Sequence, residues 1–141
     1  MDRISKSARS ANMSNVKSRD TKPEMLVRRF LHGRGLRYRL HGKGLPGSPD
    51  LVLRKHGSVV FVHGCFWHRH SGCSRATEPS SRRDFWLGKF ERNVARDREA
   101  EGRLRELGWR VFVIWECELK HAASLERLAD EIIGNARSTN Q

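Results

Sequence analysis

Eleven consecutive residues, His63-Gly-Cys-Phe-Trp-His-Arg-His-Ser-Gly-Cys73, carry two of the three cysteines and three of the seven histidines of the chain, with two large aromatics among them. Cys65-x4-His70-x2-Cys73 supplies soft ligands close together, and Cys117 is a distant fourth. Three thiolates and an imidazole form a common closed tetrahedral Zn²⁺ set. His63 and His68 are alternatives to His70 as the nitrogen ligand. A structural zinc would stabilise a loop with little core of its own, by ~10 kcal/mol or more in peptide systems. Phe66 and Trp67 sit inside that loop, where at least one should face solvent, and Trp86 is a further candidate. Flat apolar groups on a basic surface can wedge between bases, at a cost of a few kcal/mol per unstacked step. That cost is lowest at mismatched or damaged pairs.

Two carboxylates stand where a solvated charge does not belong. Asp50 follows Pro49 at the start of an apolar, strand-like run. A carboxylate there costs free energy unless it is paired or bound to a cation, which is how divalent-metal nucleases use such an aspartate. In the helix-like stretch from Asp84 to Leu107, the residues Phe90, Val94, Asp97, Leu104 and Leu107 recur at helical spacing, which predicts an inward Asp97. An inward aspartate bonded to a histidine holds its tautomer and raises its basicity, and His68 is the available partner. Glu24 is ambiguous, because Thr21-Lys-Pro-Glu24 has the form of a capping box.

The elements that must position these groups can be read from punctuation and periodicity. A helix is expected from Thr21 through Phe30, stopping near Gly33 or Gly35. A short strand at Arg37–Leu40 precedes the glycine- and proline-rich loop His41–Ser48. Pro49–Leu53 and Ser58–Val62 read as a hairpin, and Val59–Val62 as a strand covered on both faces. The long helix is closed by Gly108. Trp109–Trp115 is expected as a second buried strand and Leu125–Ile133 as a terminal helix. This order predicts an α/β layer fold with a mixed sheet. Residues 1–20 read as a flexible basic arm, 21–135 as one domain and 136–141 as a disordered tail.

Lys and Arg outnumber Asp and Glu by 28 to 16, a formal charge of +12 with pI near 10.8, which points to a polyanionic partner. No run approaches the ~20 apolar residues of a membrane span, and the N-terminus has no signal-peptide core. The expected location is the cytoplasm, with nucleic acid as the partner.

Taken together, Asn12-Met13, Arg19-Asp-Thr21, Leu45-Pro-Gly-Ser-Pro-Asp50, His63–His68, Phe85-Trp86, Asn93–Asp97, Leu107–Arg110 and Trp115-Glu-Cys117 resemble the very short patch repair (Vsr) endonucleases. The likeness covers roughly residues 8–120. It implies a restriction-endonuclease-like fold, and nicking of double-stranded DNA 5′ of the thymine in T:G mismatches left by 5-methylcytosine deamination. It implies catalytic Mg²⁺ at Asp50 and the Val62 backbone carbonyl; relatives often have threonine at the Val62 position, a change that a carbonyl ligand survives. His68 would then be the general base, Asp97 its orienting partner and Glu24 an outer-shell group. Cys65, His70, Cys73 and Cys117 would hold structural zinc. Phe66, Trp67 and Trp86 would enter the DNA stack from the major-groove side, and Met13 and Val16 would approach from the minor groove. His63, Lys89 and Asn93 match DNA-contacting positions. The expected protein is a monomer, with mismatch-repair proteins as further partners. The competing readings are a non-catalytic, zinc-stabilised DNA-binding module and a restriction-type nuclease acting on intact duplex.

Overall fold

The computed structural model describes residues 21–65, 68–70, 72–74, 76–77 and 81–138. The expectations for the basic arm with Met13 and Val16, and for Phe66 and Trp67, lie outside them; of the tail expected at 136–141, residues 139–141 lie outside and 136–138 are helical.

Helix α1 (Lys22–Gly33) begins as its sequence dictates, with the Thr21 Oγ1 accepting a hydrogen bond from the Glu24 N–H at 3.3 Å and Pro23 in the first turn. It ends in a Schellman arrangement: the Gly35 N–H reaches the His32 carbonyl and the Leu36 N–H the Leu31 carbonyl, each at 3.0 Å. Gly35 takes φ +86°, which an L side chain resists. Strands β1 (Arg39–Leu40), β2 (Leu51–Leu53) and β3 (Ser58–His63) follow, all antiparallel, with a 3₁₀ turn at Arg54–His56 closing the expected hairpin. Helix α2 (Arg83–Glu106) crosses over to β4 (Arg110–Trp115), which pairs parallel to β3 from Ser58↔Arg110 to His63↔Trp115. A 3₁₀ turn at Glu116–Lys120 leads into α3 (Ala122–Ser138), longer at both ends than the expected Leu125–Ile133. The mixed sheet has the order β1-β2-β3-β4.

Strand alternation sends Leu51, Leu53, Val60 and Ile114 to one face, where they pack on Val27 and Leu31 of α1 and on Leu128 and Ile132 of α3. Val52, Val59 and Phe61 go to the other face, against Leu104 of α2. Helices thus cover both sides, which is why β3 is apolar almost throughout.

Two expectations need correction. In β4 only Ile114 is buried, because the strand lies at the edge of the sheet; Trp109 and Trp115 are half-buried rather than core. Leu107 is 63% exposed. At about 100° per residue, Asp97 stands about 20° from Phe90 around the helix, whereas Leu107 has drifted about 100° away. The inward face therefore holds without Leu107.

Candidate active site and metal centre

The C-terminal ends of β3 and β4 lie side by side because the pair is parallel. The chain leaving β3 turns there twice. Arg69, at φ +53°, is in the left-handed region, so His68 and His70 separate into different clusters. The Arg69 guanidinium packs 4.3 Å over the Phe90 ring and donates to the Thr77 and Ala76 carbonyls at 3.0 and 3.2 Å, tying the loop to α2.

His68 meets Asp97 as expected, with Nδ1 2.6 Å from Oδ2. A carboxylate can only accept from a neutral imidazole, so Nδ1 carries the proton and Nε2 keeps its lone pair. Such a histidine can take a proton from water. The His63 ring stacks on His68 with centroids 3.9 Å apart and planes within 2°. Burial, and next the proximity of His68, push the His63 pKa down to about 4, so it is neutral at physiological pH. With 5% exposure it stands behind His68 as an uncharged flat support.

Asp50 lies just before β2. Pro49, next in register opposite Val62, has no N–H to extend the β2–β3 ladder, and its carbonyl accepts from the Gly42 N–H at 2.8 Å. The Val62 N–H instead donates to Asp50 Oδ2 at 2.7 Å. Residues of a strand direct N–H and C=O to the same neighbour, so the Val62 carbonyl is directed to the β2 side of β3. Burial raises the Asp50 pKa to about 6 against the opposing Val62 N–H bond, with the Glu24 charge adding to the rise. This is a carboxylate short of positive charge. Hard oxygen donors of this kind suit a divalent cation such as magnesium.

Glu24 is 1% exposed. Its Oε2 accepts from Arg28 on the next turn of α1 and lies 3.0 Å from His41 Nε2. Capping therefore accounts for its backbone N–H but not for its carboxylate. The sequence marks Arg28 only by its i,i+4 spacing from Glu24, and His41 only as a histidine in a glycine-rich loop whose partner becomes visible in the fold.

The second cluster brings together Cys65, His70, Cys73 and Cys117, whose ligand atoms all lie within 4.8 Å of one another. His70 Nδ1 is 3.4 Å from Cys117 Sγ, and its ring stacks on Trp115 at 4.2 Å. His70, and neither His63 nor His68, is therefore the imidazole beside the cysteines. Burial and the neighbouring Cys65 and Cys73 thiols push Cys117 up to about 12. Thiols crowded this way ionise only with a cation among them, and three sulfurs with one imidazole could hold a metal ion.

Trp86, Asn93 and Asp97 fall on one stripe of α2, with Lys89 on its flank; Lys89 Nζ lies 5.9 Å from the Trp86 ring centroid. Phe85 beside Trp86 is exposed. No helix among the described residues is long and apolar enough to cross a membrane.

A family model, DNA mismatch endonuclease Vsr, matches residues 1–75. The chain is 50% identical over 125 residues to the type II nicking enzyme V.XorIIP of Xanthomonas oryzae pv. oryzae, covering 89% of this chain and 91% of that protein. It is 47% identical over 135 residues to the type II nicking enzyme V.NmeAIP of Neisseria meningitidis, covering 93% and 96%. Identity to the DNA mismatch endonuclease Vsr of Escherichia coli is 44% over 128 residues, covering 91% and 80%.

Proposed function

Because the chain belongs to the Vsr family of DNA mismatch endonucleases, we propose that it nicks double-stranded DNA 5′ of the thymine in a T:G mismatch and so starts very short patch repair. The observation that carries this reading is the His68–Asp97 bond of 2.6 Å, with both side chains only partly buried.

His68 Nε2 removes a proton from water as the water oxygen bonds to phosphorus. The P–O3′ bond breaks and the departing 3′-oxygen takes a proton from solvent water, leaving a 3′-hydroxyl and a 5′-phosphate. Asp97 holds the imidazole in the right tautomer and stabilises the imidazolium that forms, a service worth ~10²–10⁴-fold for general base catalysis as a whole. Asp50 and the Val62 carbonyl would hold Mg²⁺, which when bound supplies charge stabilisation to the phosphoryl and leaving oxygens. Glu24 supports this cluster from the buried side. The Cys65, His70, Cys73 and Cys117 set fits structural Zn²⁺, since four protein ligands leave no open position for chemistry.

The architecture around this site is consistent with a restriction-endonuclease-like fold. Trp86, Lys89 and Asn93 extend the stripe from Asp97 toward the mispaired bases; Phe66 and Trp67 enter from the major groove, and Met13 and Val16 of the basic arm from the minor groove. The protein acts as a monomer in the cytoplasm, with mismatch-repair proteins as further partners. One gel assay tests the reading: T:G, T:A and C:G duplexes of matched sequence, each with and without Mg²⁺. Nicking confined to T:G with Mg²⁺ is expected. Equal cleavage of T:A or C:G would make the protein a restriction-type nuclease, and binding without cleavage would make it a DNA-binding module.

A further inference from the structure

His41 links the two residues that carry the candidate carboxylates, its ring reaching the Glu24 side chain and its backbone bonding to that of Asp50. It follows β1 directly, and its backbone N–H donates to the Asp50 carbonyl at 3.0 Å. Its Nε2 lies 3.0 Å from Glu24 Oε2. Arg28 also donates to that oxygen, and the 3.2 Å between Arg28 Nη2 and His41 Nε2 is the approach of two donors to one acceptor. Arg28 belongs to α1 itself, so it can orient Glu24 only within the helix. His41 lies just beyond β1 and is bonded to the Asp50 backbone, so it can fix Glu24 relative to Asp50.

The backbone at this point argues in the same direction. His41 has φ +50°, a left-handed conformation that glycine adopts without strain and histidine does not. An imidazole at a left-handed position, bonded to a buried carboxylate, points to a use for its ring. We infer that His41 is a positioning residue of the nuclease site, holding the buried Glu24 carboxylate in register with Asp50 across the α1–sheet boundary. This rests on the reading of Asp50 and Glu24 given above.

The test compares His41→Gly and His41→Gln with wild type and with Asp50→Ala, using single-turnover nicking of a T:G duplex with Mg²⁺, the Kd for that duplex, and the melting temperature. The glycine variant removes the ring but suits φ +50°, which offsets part of the lost bond to Glu24, so its melting temperature should fall by no more than a few degrees. Its Kd should stay within about twofold while nicking slows ~10–100-fold, the usual effect of losing a group that orients a metal ligand's surroundings. Glutamine places an amide N–H near the position of Nε2 and should recover most of the rate. Wild-type nicking by His41→Gly overturns the inference. So do equal losses in the two variants, or a loss accounted for by weaker DNA binding. If Asp50→Ala also nicks normally, the site reading itself fails; if Asp50→Ala is inactive while His41→Gly is normal, only the role of His41 fails.

Discussion

Asp50→Asn should make the protein more stable while abolishing its nicking activity. In the metal-free fold, burial lifts the Asp50 pKa from the ordinary 3.8 to about 6. A carboxyl group whose folded pKa is raised favours the folded state fully below its unfolded pKa, and that advantage is lost as pH rises through the folded value. At pH 8 the ionised Asp50 therefore costs about 3 kcal/mol relative to a neutral side chain. Asparagine has nearly the same shape and keeps an oxygen to accept the Val62 N–H, so the cost is removed without opening a cavity. For a domain of this size the gain corresponds to roughly 10 °C in melting temperature. The assay is thermal unfolding in magnesium-free buffer without chelator, so that the cysteine site is undisturbed, between pH 4 and 8. The two proteins should melt together near pH 4, separate as pH rises, and reach the full gap above about pH 6. Added Mg²⁺ should narrow the gap at pH 8 by stabilising only the wild type. A lower melting temperature for Asp50→Asn at pH 8, or a gap independent of pH, would refute the reasoning.

Asp97→Asn should slow single-turnover nicking by ~10–100-fold, because an amide cannot stabilise the imidazolium and can present the wrong face to Nδ1; a wild-type rate in a rapid-quench assay would count against the dyad. Cys117→Ser should lose bound metal, measured by elemental analysis, and melt at lower temperature; one ion per chain with unchanged melting would remove Cys117 from the set. Gly47→Ala should cost ~1–3 kcal/mol in denaturant unfolding, since the position has φ +72° and an added Cβ would lie 2.7 Å from the Cβ of Ala100. A variant as stable as wild type would show that the loop before Asp50 is not seated on α2 as described.

The helices were legible because their ends are marked locally: Thr21 caps one, and Gly35 and Gly108 close two by the same Schellman geometry. The hairpin was legible from its apolar runs. The Asp97–His68 pair could be anticipated because helix phase alone turns Asp97 inward. The Val-Phe-Val-Ile core of β4 resembles that of β3 and so suggests equal burial, whereas only the strand order decides that β4 lies at the edge. The role of His41 was hidden for a related reason. Its neighbours Glu24 and Asp50 are 17 and 9 residues away in the chain, and they meet only through β-pairing and helix docking. The stacking of His63 on His68 carries no local signal either, because it depends on the turn after β3 in which the His68 N–H donates to the Gly64 carbonyl.

The cysteine cluster has a consequence for how the chain folds. Cys65 and Cys117 are 52 residues apart and bracket the β3–α2–β4 crossover. Parallel pairing across such a span is slow, because the whole loop must close before its contacts form. An ion bridging these sulfurs closes the same loop, an effect of about 4 kcal/mol on the chain-entropy scale used for covalent crosslinks. Metal captured early would shorten the conformational search for the edge strand, and metal-starved chains would assemble it last. The same four side chains would then govern the rate at which newly made protein becomes competent, as well as the rigidity of the finished site.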